Sequence, residues 1–228
     1  IGHVGRLAQE KNLAYLAEAV ARHLAVATEV RFLVVGDGPA RDEMKQIFEQ
    51  HGVADRLILA GKRTGRTLRE AYRAMDVFAF ASKSETQGMV VAEAMAAGMP
   101  VVALNAPGVR EVVRDGVNGA LLAANASTET FAAALGKISS DASRRKELAA
   151  EAMKTAEDFS SERSAQRALA FYEEVRKATR ARRLVDHFHP WGALLKRVGL
   201  EWDLLSSRAQ TVAAAVFGEH DEKTKKAS

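Results

Sequence analysis

Short apolar, β-branched runs alternate over the first 122 residues with longer stretches whose apolar positions recur every three or four residues. Val30 to Val35, Leu57 to Ala60, Val77 to Ala81 and Val101 to Leu104 read as buried strands, after a first strand that leads into Gly5. Between them, Asn12 to Ala27, Arg41 to His51, Thr67 to Met75 and Val90 to Ala97 carry helical spacing, with Asn12 and Thr67 placed as N-caps. Strand and helix in strict alternation require crossover connections, so the pattern predicts an α/β fold: a Rossmann-like, doubly wound parallel sheet flanked by helices. From Ser127 onward the strands stop. Thr130 to Ile138, Arg144 to Asp158 and Glu162 to Lys177 read as three further helices, followed by a helical C-terminal extension.

Composition narrows the class. Hydrophobic residues make up 47% and charged residues 27% of 228, which excludes a disordered chain, and the absence of cysteine removes thiolate nucleophiles, thiolate zinc sites and disulfides. The net charge is +4, and residues 180–228 hold nine Lys/Arg against six Asp/Glu. The body is therefore nearly neutral, which argues against nucleic-acid binding. The division expected is a nucleotide-binding domain over 1–179 and a basic amphipathic tail over 180–228. No apolar run reaches the length of a membrane span. The chain opens on Ile1-Gly2-His3-Val4-Gly5, with no basic, then apolar, leader. The expectation is a piece of a longer chain located in the cytoplasm or peripherally at the inner face of the membrane.

In open parallel sheets ligands sit beyond the C-terminal ends of the strands. Four loops there carry glycines and charge: Gly5 to Lys11, Gly36-Asp37-Gly38-Pro39, Gly61-Lys62-Arg63, and Ser82 to Gly88. Arg6 offers a planar fork and Lys11 a point charge, the usual pairing against a diphosphate; taken alone, both also fit solvated loop charges. The Gly36 segment resembles the start of a dinucleotide fingerprint, but Arg41 stands where a third glycine belongs. A tight turn with Pro39 in the first helical turn explains it equally well.

Glu85 and Glu93 lie eight residues apart across a loop-to-helix junction. An all-helical path would separate them by about 12 Å, beyond the roughly 5 to 9.5 Å of glycosidase carboxyl pairs. Two separate ligand contacts fit better than one acid/base pair. Glu93 stands among apolar residues from Met89 to Ala97, which sets it apart from an ordinary surface glutamate. The helix start over Gln87, Gly88, Met89 and Val90 would turn free N–H groups and a positive dipole end toward a phosphate.

Together these residues resemble the C-terminal, donor-binding half of the family 4 retaining glycosyltransferases with the GT-B fold. The resemblance runs through Val4-Gly5-Arg6-Leu7, Glu10-Lys11-Asn12, Val34 to Pro39, Leu57 to Gly61, Ala74 to Phe78, Ser82, Glu85, Gly88, Glu93 to Ala103, Pro107 to Val113 and Asp115 to Gly119. It implies that Arg6 and Lys11 stabilise the donor's diphosphate, Glu85 lies near the transferred sugar, and Glu93 bonds the ribose hydroxyls. Gly5, Gly36 and Gly38 would line the cradle, the backbone of Gln87 to Val90 would meet phosphate and sugar, and Gly61-Lys62 would lie by the base. The implied reaction is transfer of a hexose from a nucleotide diphosphate sugar, a UDP-sugar first, to an acceptor sugar or lipid with retention, without metal or other cofactor. The implied partner is an N-terminal acceptor domain that has no counterpart in this chain, so donor binding with little transfer is expected.

Two departures stand out. Ala81 and Gln87 replace the Pro and Phe common in the family, and the Glu-Thr-Gln-Gly form is similar to members that glycosylate membrane lipids. In the tail, Leu184, Phe188, Trp191, Leu195 and Val198 recur at helical spacing beside Arg182, Arg183, Lys196 and Arg197. That stripe fits packing on protein or lying on an anionic membrane. His187 and His189 lack the company a metal site needs. The competing readings are a sugar-nucleotide epimerase, and a non-catalytic module that binds nucleotide or docks to membrane.

Overall fold

A computed structural model describes residues 1–188, with side chains described to residue 179. The apolar stripe from Leu184, the two tail histidines and the tail beyond them therefore lie outside the described side chains. The chain divides into two compact units, Ile1–Ser164 and Ala165–Ser228.

The first unit holds a six-stranded sheet of β1 (Gly2–Val4), β2 (Phe32–Val35), β3 (Leu57–Gly61), β4 (Phe78–Phe80), β5 (Val101–Leu104) and β6 (Gly119–Leu122). All neighbours run parallel, in the order β3-β2-β1-β4-β5-β6. This is the doubly wound arrangement the alternation predicts, with the strand order reversing between β1 and β4. The two-residue period of the strands loads both faces. Phe32, Val34, Ala79, Val102 and Leu104 join a core with α1 (Leu13–Val26), α2 (Arg41–Gln50) and α5 (Thr128–Ser139). Val35, Phe78, Phe80, Val101 and Ala103 join a second core with α3 (Gly65–Arg73), α4 (Met89–Ala96) and α6 (Ala142–Glu157). A sheet buried on both faces needs the continuous apolar strands seen here.

Several boundaries differ from expectation for local reasons. The structure adds β6, whose four-residue Gly-Ala-Leu-Leu text is too short to signal a strand. Its glycine is needed, because a Cβ on Gly119 would stand 2.1 Å from the Val101 carbonyl oxygen. Asn12 occupies the position before α1 but makes no capping bond: its φ is 55° and its Nδ2 donates to the Ala81 carbonyl at 3.1 Å. Thr67 is not a cap either. The helix begins two residues earlier, and the Thr67 hydroxyl donates back to the Thr64 carbonyl at 3.0 Å. Pro39 precedes α2 instead of entering its first turn. The last helix, α7 (Ser161–Phe188), runs past Lys177, since no Pro or Gly interrupts it before Pro190.

One buried group tests the sheet through pH. His3, on β1, is 1% exposed and packs beside Phe78 and Phe80, each ring centroid 6.1 Å away. Its Nδ1–H donates to the Ala79 carbonyl at 3.0 Å, which leaves Nε2 as a bare acceptor with no partner among the described residues. Burial pushes its pKa from 6.5 down to about 4; the Ala79 bond opposes this and the charge of Lys11 adds to it. Between those two pH values the unfolded chain binds the proton and the folded chain does not. Stability is therefore expected to fall as pH drops from 6.5 to 4, by about 3 kcal/mol, and to level off below. Urea titrations across that range check it, and His3→Gln should remove most of the slope.

Candidate functional site

The strand order reverses between β1 and β4, and the loops that follow these two strands bring Lys11 and Glu85 together. Lys11, in the 3-10 turn Gln9–Lys11, donates from Nζ to Glu85 Oε2 at 3.2 Å across 74 positions of sequence. The two side chains are 24% and 15% exposed. Asn12 pins the same turn to the end of β4 through Ala81, and Ser84 Oγ donates to the Glu10 carbonyl at 3.3 Å. Ser82 stands nearby, its hydroxyl buried without a partner among the described residues.

Glu85 is held from three sides. Its Oε1 accepts from the amides of Gly88 at 3.2 Å and Gln87 at 3.4 Å, and its carbonyl accepts from the Gly108 amide at 2.9 Å. Burial works to raise its pKa, but Lys11 and the two amides outweigh it and hold the carboxyl below its usual 4.5. The contribution of this ion pair to stability is thus present above pH 4.5 and is lost as pH falls through the lower folded value. Gly88 sits at φ +67°, where a Cβ would stand 2.6 Å from the Gly108 carbonyl oxygen. Only glycine fits that close approach, and it starts α4 so that the Met89 and Val90 amides fall in the first turn, where the helix supplies no acceptor.

The loops after β1, β2 and β3 close the other side. Gly36 N–H donates to the Gly61 carbonyl at 3.0 Å, Gly5 N–H to Val35, and Leu7 N–H to Asp37. A Cβ on Gly36 would stand 1.8 Å from the Gly5 carbonyl oxygen, and one on Gly38 2.4 Å from that of Leu7. These glycines let two main chains touch, whichever ligand is bound. The result is a cleft of about 400 Å³ lined by Gly5, Arg6, Gly36, Asp37, Lys62 and Arg63. Arg6 is largely exposed and pairs with Glu10, four residues on in the same loop. Such exposed pairs contribute little, so an anion in the cleft can displace it.

Glu93 stands apart from that group. It lies on the exposed face of α4, while Val91, Ala92, Ala94 and Met95 are core. The apolar context that singled it out is therefore the burial of its helix, not of the carboxylate. Glu93 Oε2 accepts a hydrogen bond from the Tyr72 hydroxyl at 2.8 Å, and both residues line an adjoining cleft of about 410 Å³ with Arg69 and Arg73. Leu68 borders both clefts. Sequence reasoning missed Tyr72, His3 and Gly108. Tyr72 reads as one more apolar position of an amphipathic helix, and no signal in the sequence sets it apart.

Among the described residues, no group of three or more His, Cys, Asp or Glu gathers as a metal site, and no helix is long and apolar enough to cross a membrane.

Comparison with known proteins bears on residues 1–155, which match the model of the family described as glycosyl transferases group 1. A D-inositol 3-phosphate glycosyltransferase of Stackebrandtia nassauensis is 36% identical over 194 residues, covering 80% of this chain and 44% of that protein. The 2-deoxystreptamine glucosyltransferase of Streptomyces kanamyceticus is 35% identical over 176 residues, covering 77% of this chain and 45% of the relative. The chain thus spans less than half the length of these curated relatives. Among solved structures, the pneumococcal O-GlcNAc transferase GtfA in complex with UDP and GlcNAc superposes with a TM-score of 0.68 at 26% identity, covering 76% of this chain and 35% of that one. Anabaena HepE in complex with UDP-glucose gives 0.61 at 30% identity, covering 68% and 43%.

Proposed function

Because this chain belongs to the glycosyl transferases group 1 family, we propose that it binds the donor, a nucleotide diphosphate hexose, in the cleft at the reversal of strand order, for transfer with retention. The observation that carries the proposal is the Lys11–Glu85 pair, which joins the loops on both sides of that reversal beside the open amides of α4. Breaking the anomeric bond leaves negative charge on the departing diphosphate. Arg6, Lys11 and the start of α4 supply fixed positive charge and N–H donors there, and stabilising charge that grows in the transition state lowers the barrier. Glu85, ionised and held by two amides, would face the transferred sugar and accept from its hydroxyls. Glu93 would accept from the ribose. The Gly61-Lys62 end of β3 borders the same cleft and suits the base.

The UDP in GtfA and the UDP-glucose in HepE support UDP as the nucleotide to try first. The acceptor, a hydroxyl-bearing sugar or lipid, would be held by residues outside this chain, so the chain alone is expected to bind donor with little turnover. Titration calorimetry with UDP, GDP and ADP tests the reading. At least one should bind, and Arg6→Ala should weaken it by about tenfold, the loss of one charge-assisted contact. A folded chain that binds none of the three would overturn it.

A further inference from the structure

Glu93 would be a poor ribose ligand if left to itself. A glutamate on an exposed helical face samples several rotamers, and fixing one at the moment of binding lowers affinity. Here the carboxylate is already fixed. Tyr72 is 5% exposed, its ring packed in the core against Phe78 with centroids 6.2 Å apart, so its hydroxyl arrives on a rigid stem at the adjoining cleft, which shares Leu68 with the donor cleft. That hydroxyl occupies Glu93 Oε2 at 2.8 Å, while the carboxylate retains lone pairs for further donors. Burial first, and Glu93 second, push the phenol pKa far upward, so the proton stays on Tyr72 and Glu93 remains the acceptor.

We infer that Tyr72 is a positioning residue for nucleotide choice: by locking Glu93 toward the cleft, it makes the site select a ribose diol over a 2′-deoxyribose. The inference rests on the donor reading above. A ribose offers neighbouring 2′ and 3′ hydroxyls, which one carboxylate in a fixed rotamer can accept together. A 2′-deoxyribose offers one of the two, and a carboxylate free to turn has less to lose between them.

The test uses the nucleoside diphosphate that the chain binds best and its 2′-deoxy form, titrated into the parent chain, Tyr72→Phe, Glu93→Ala and the double variant. The parent is expected to prefer the ribonucleotide by about tenfold or more, the usual worth of a hydrogen bond to a charged acceptor. Tyr72→Phe keeps the ring and its packing. It should weaken ribonucleotide binding several-fold, leave the deoxy form unchanged, and so shrink the ratio. Adding Tyr72→Phe to Glu93→Ala should change neither affinity. A ratio that Tyr72→Phe leaves intact would overturn the inference, as would equal weakening of both nucleotides or a further loss in the double variant, since each marks a role in packing alone. A parent chain that binds no nucleotide, or one in which Glu93→Ala keeps the full ratio, overturns instead the donor reading beneath it. Thermal unfolding of each variant establishes that the comparison is between folded proteins.

Discussion

Alanine at position 11 is expected to weaken nucleoside diphosphate binding by about 10- to 100-fold, the range for losing a hydrogen bond to a charged group. Two effects act together. The ammonium that would meet the diphosphate is gone, and Glu85, which it neutralised at 3.2 Å, is left as an unpaired carboxylate facing an anion. Adding Glu85→Gln to Lys11→Ala should therefore recover part of the affinity, because it removes the repulsion without restoring the cation. If the double variant binds no better than Lys11→Ala, the carboxylate does not lie close to the diphosphate, and its proposed place between Lys11 and the transferred sugar is wrong. The fold should tolerate the change. The pair is only partly buried, which places the stability cost nearer about 1 kcal/mol than the several expected for a deeply buried pair.

Gly36→Ala is expected to do the opposite, destroying stability before it affects any ligand. Its Cβ would lie 1.8 Å from the Gly5 carbonyl oxygen, and what it meets is main chain of the neighbouring loop. The loops after β1 and β2 would have to separate, breaking the Gly5–Val35 and Leu7–Asp37 bonds that hold them. A loss of at least about 3 kcal/mol is expected, on the order of 10 °C in melting temperature for a chain of this size. Gly52 is the control. It also has positive φ, at +67°, but nothing lies within 4 Å of its missing Cβ, so Gly52→Ala should cost only the strain of the left-handed conformation, about 1 kcal/mol. Melting curves of the two variants compare close approach with backbone strain directly. Equal losses would mean that the contact between the two loops is not what makes Gly36 necessary.

The legible part of this molecule was the part built from periodicity and from loop position. Strands whose alternate residues feed two cores must be apolar throughout, and Phe32 to Val35 and Val101 to Leu104 announce themselves for that reason. The mouth was legible because parallel topology sends every strand-to-helix loop to the same rim, so Arg6, Lys11 and Glu85 could be expected on it without knowing their distances. Pairings between helices were not legible. Nothing in the text of α3 says that Tyr72 reaches Glu93, because helix position fixes a direction but not the neighbour it meets. His3 escaped notice because a lone histidine between apolar residues carries no spacing signal, and only the ring packing of Phe78 and Phe80 gives it a role.

The 74-residue reach of the Lys11–Glu85 tie has a consequence for how the molecule can be divided. A fragment ending after β3 would keep Arg6 and all three glycines of the cradle, yet lack Glu85 and the helix that follows it. The remainder would hold Glu85 without Lys11, the cation it pairs with. Neither piece alone could grip a pyrophosphate, whereas mixing the two should regenerate a competent mouth, with ligand favouring their reassociation.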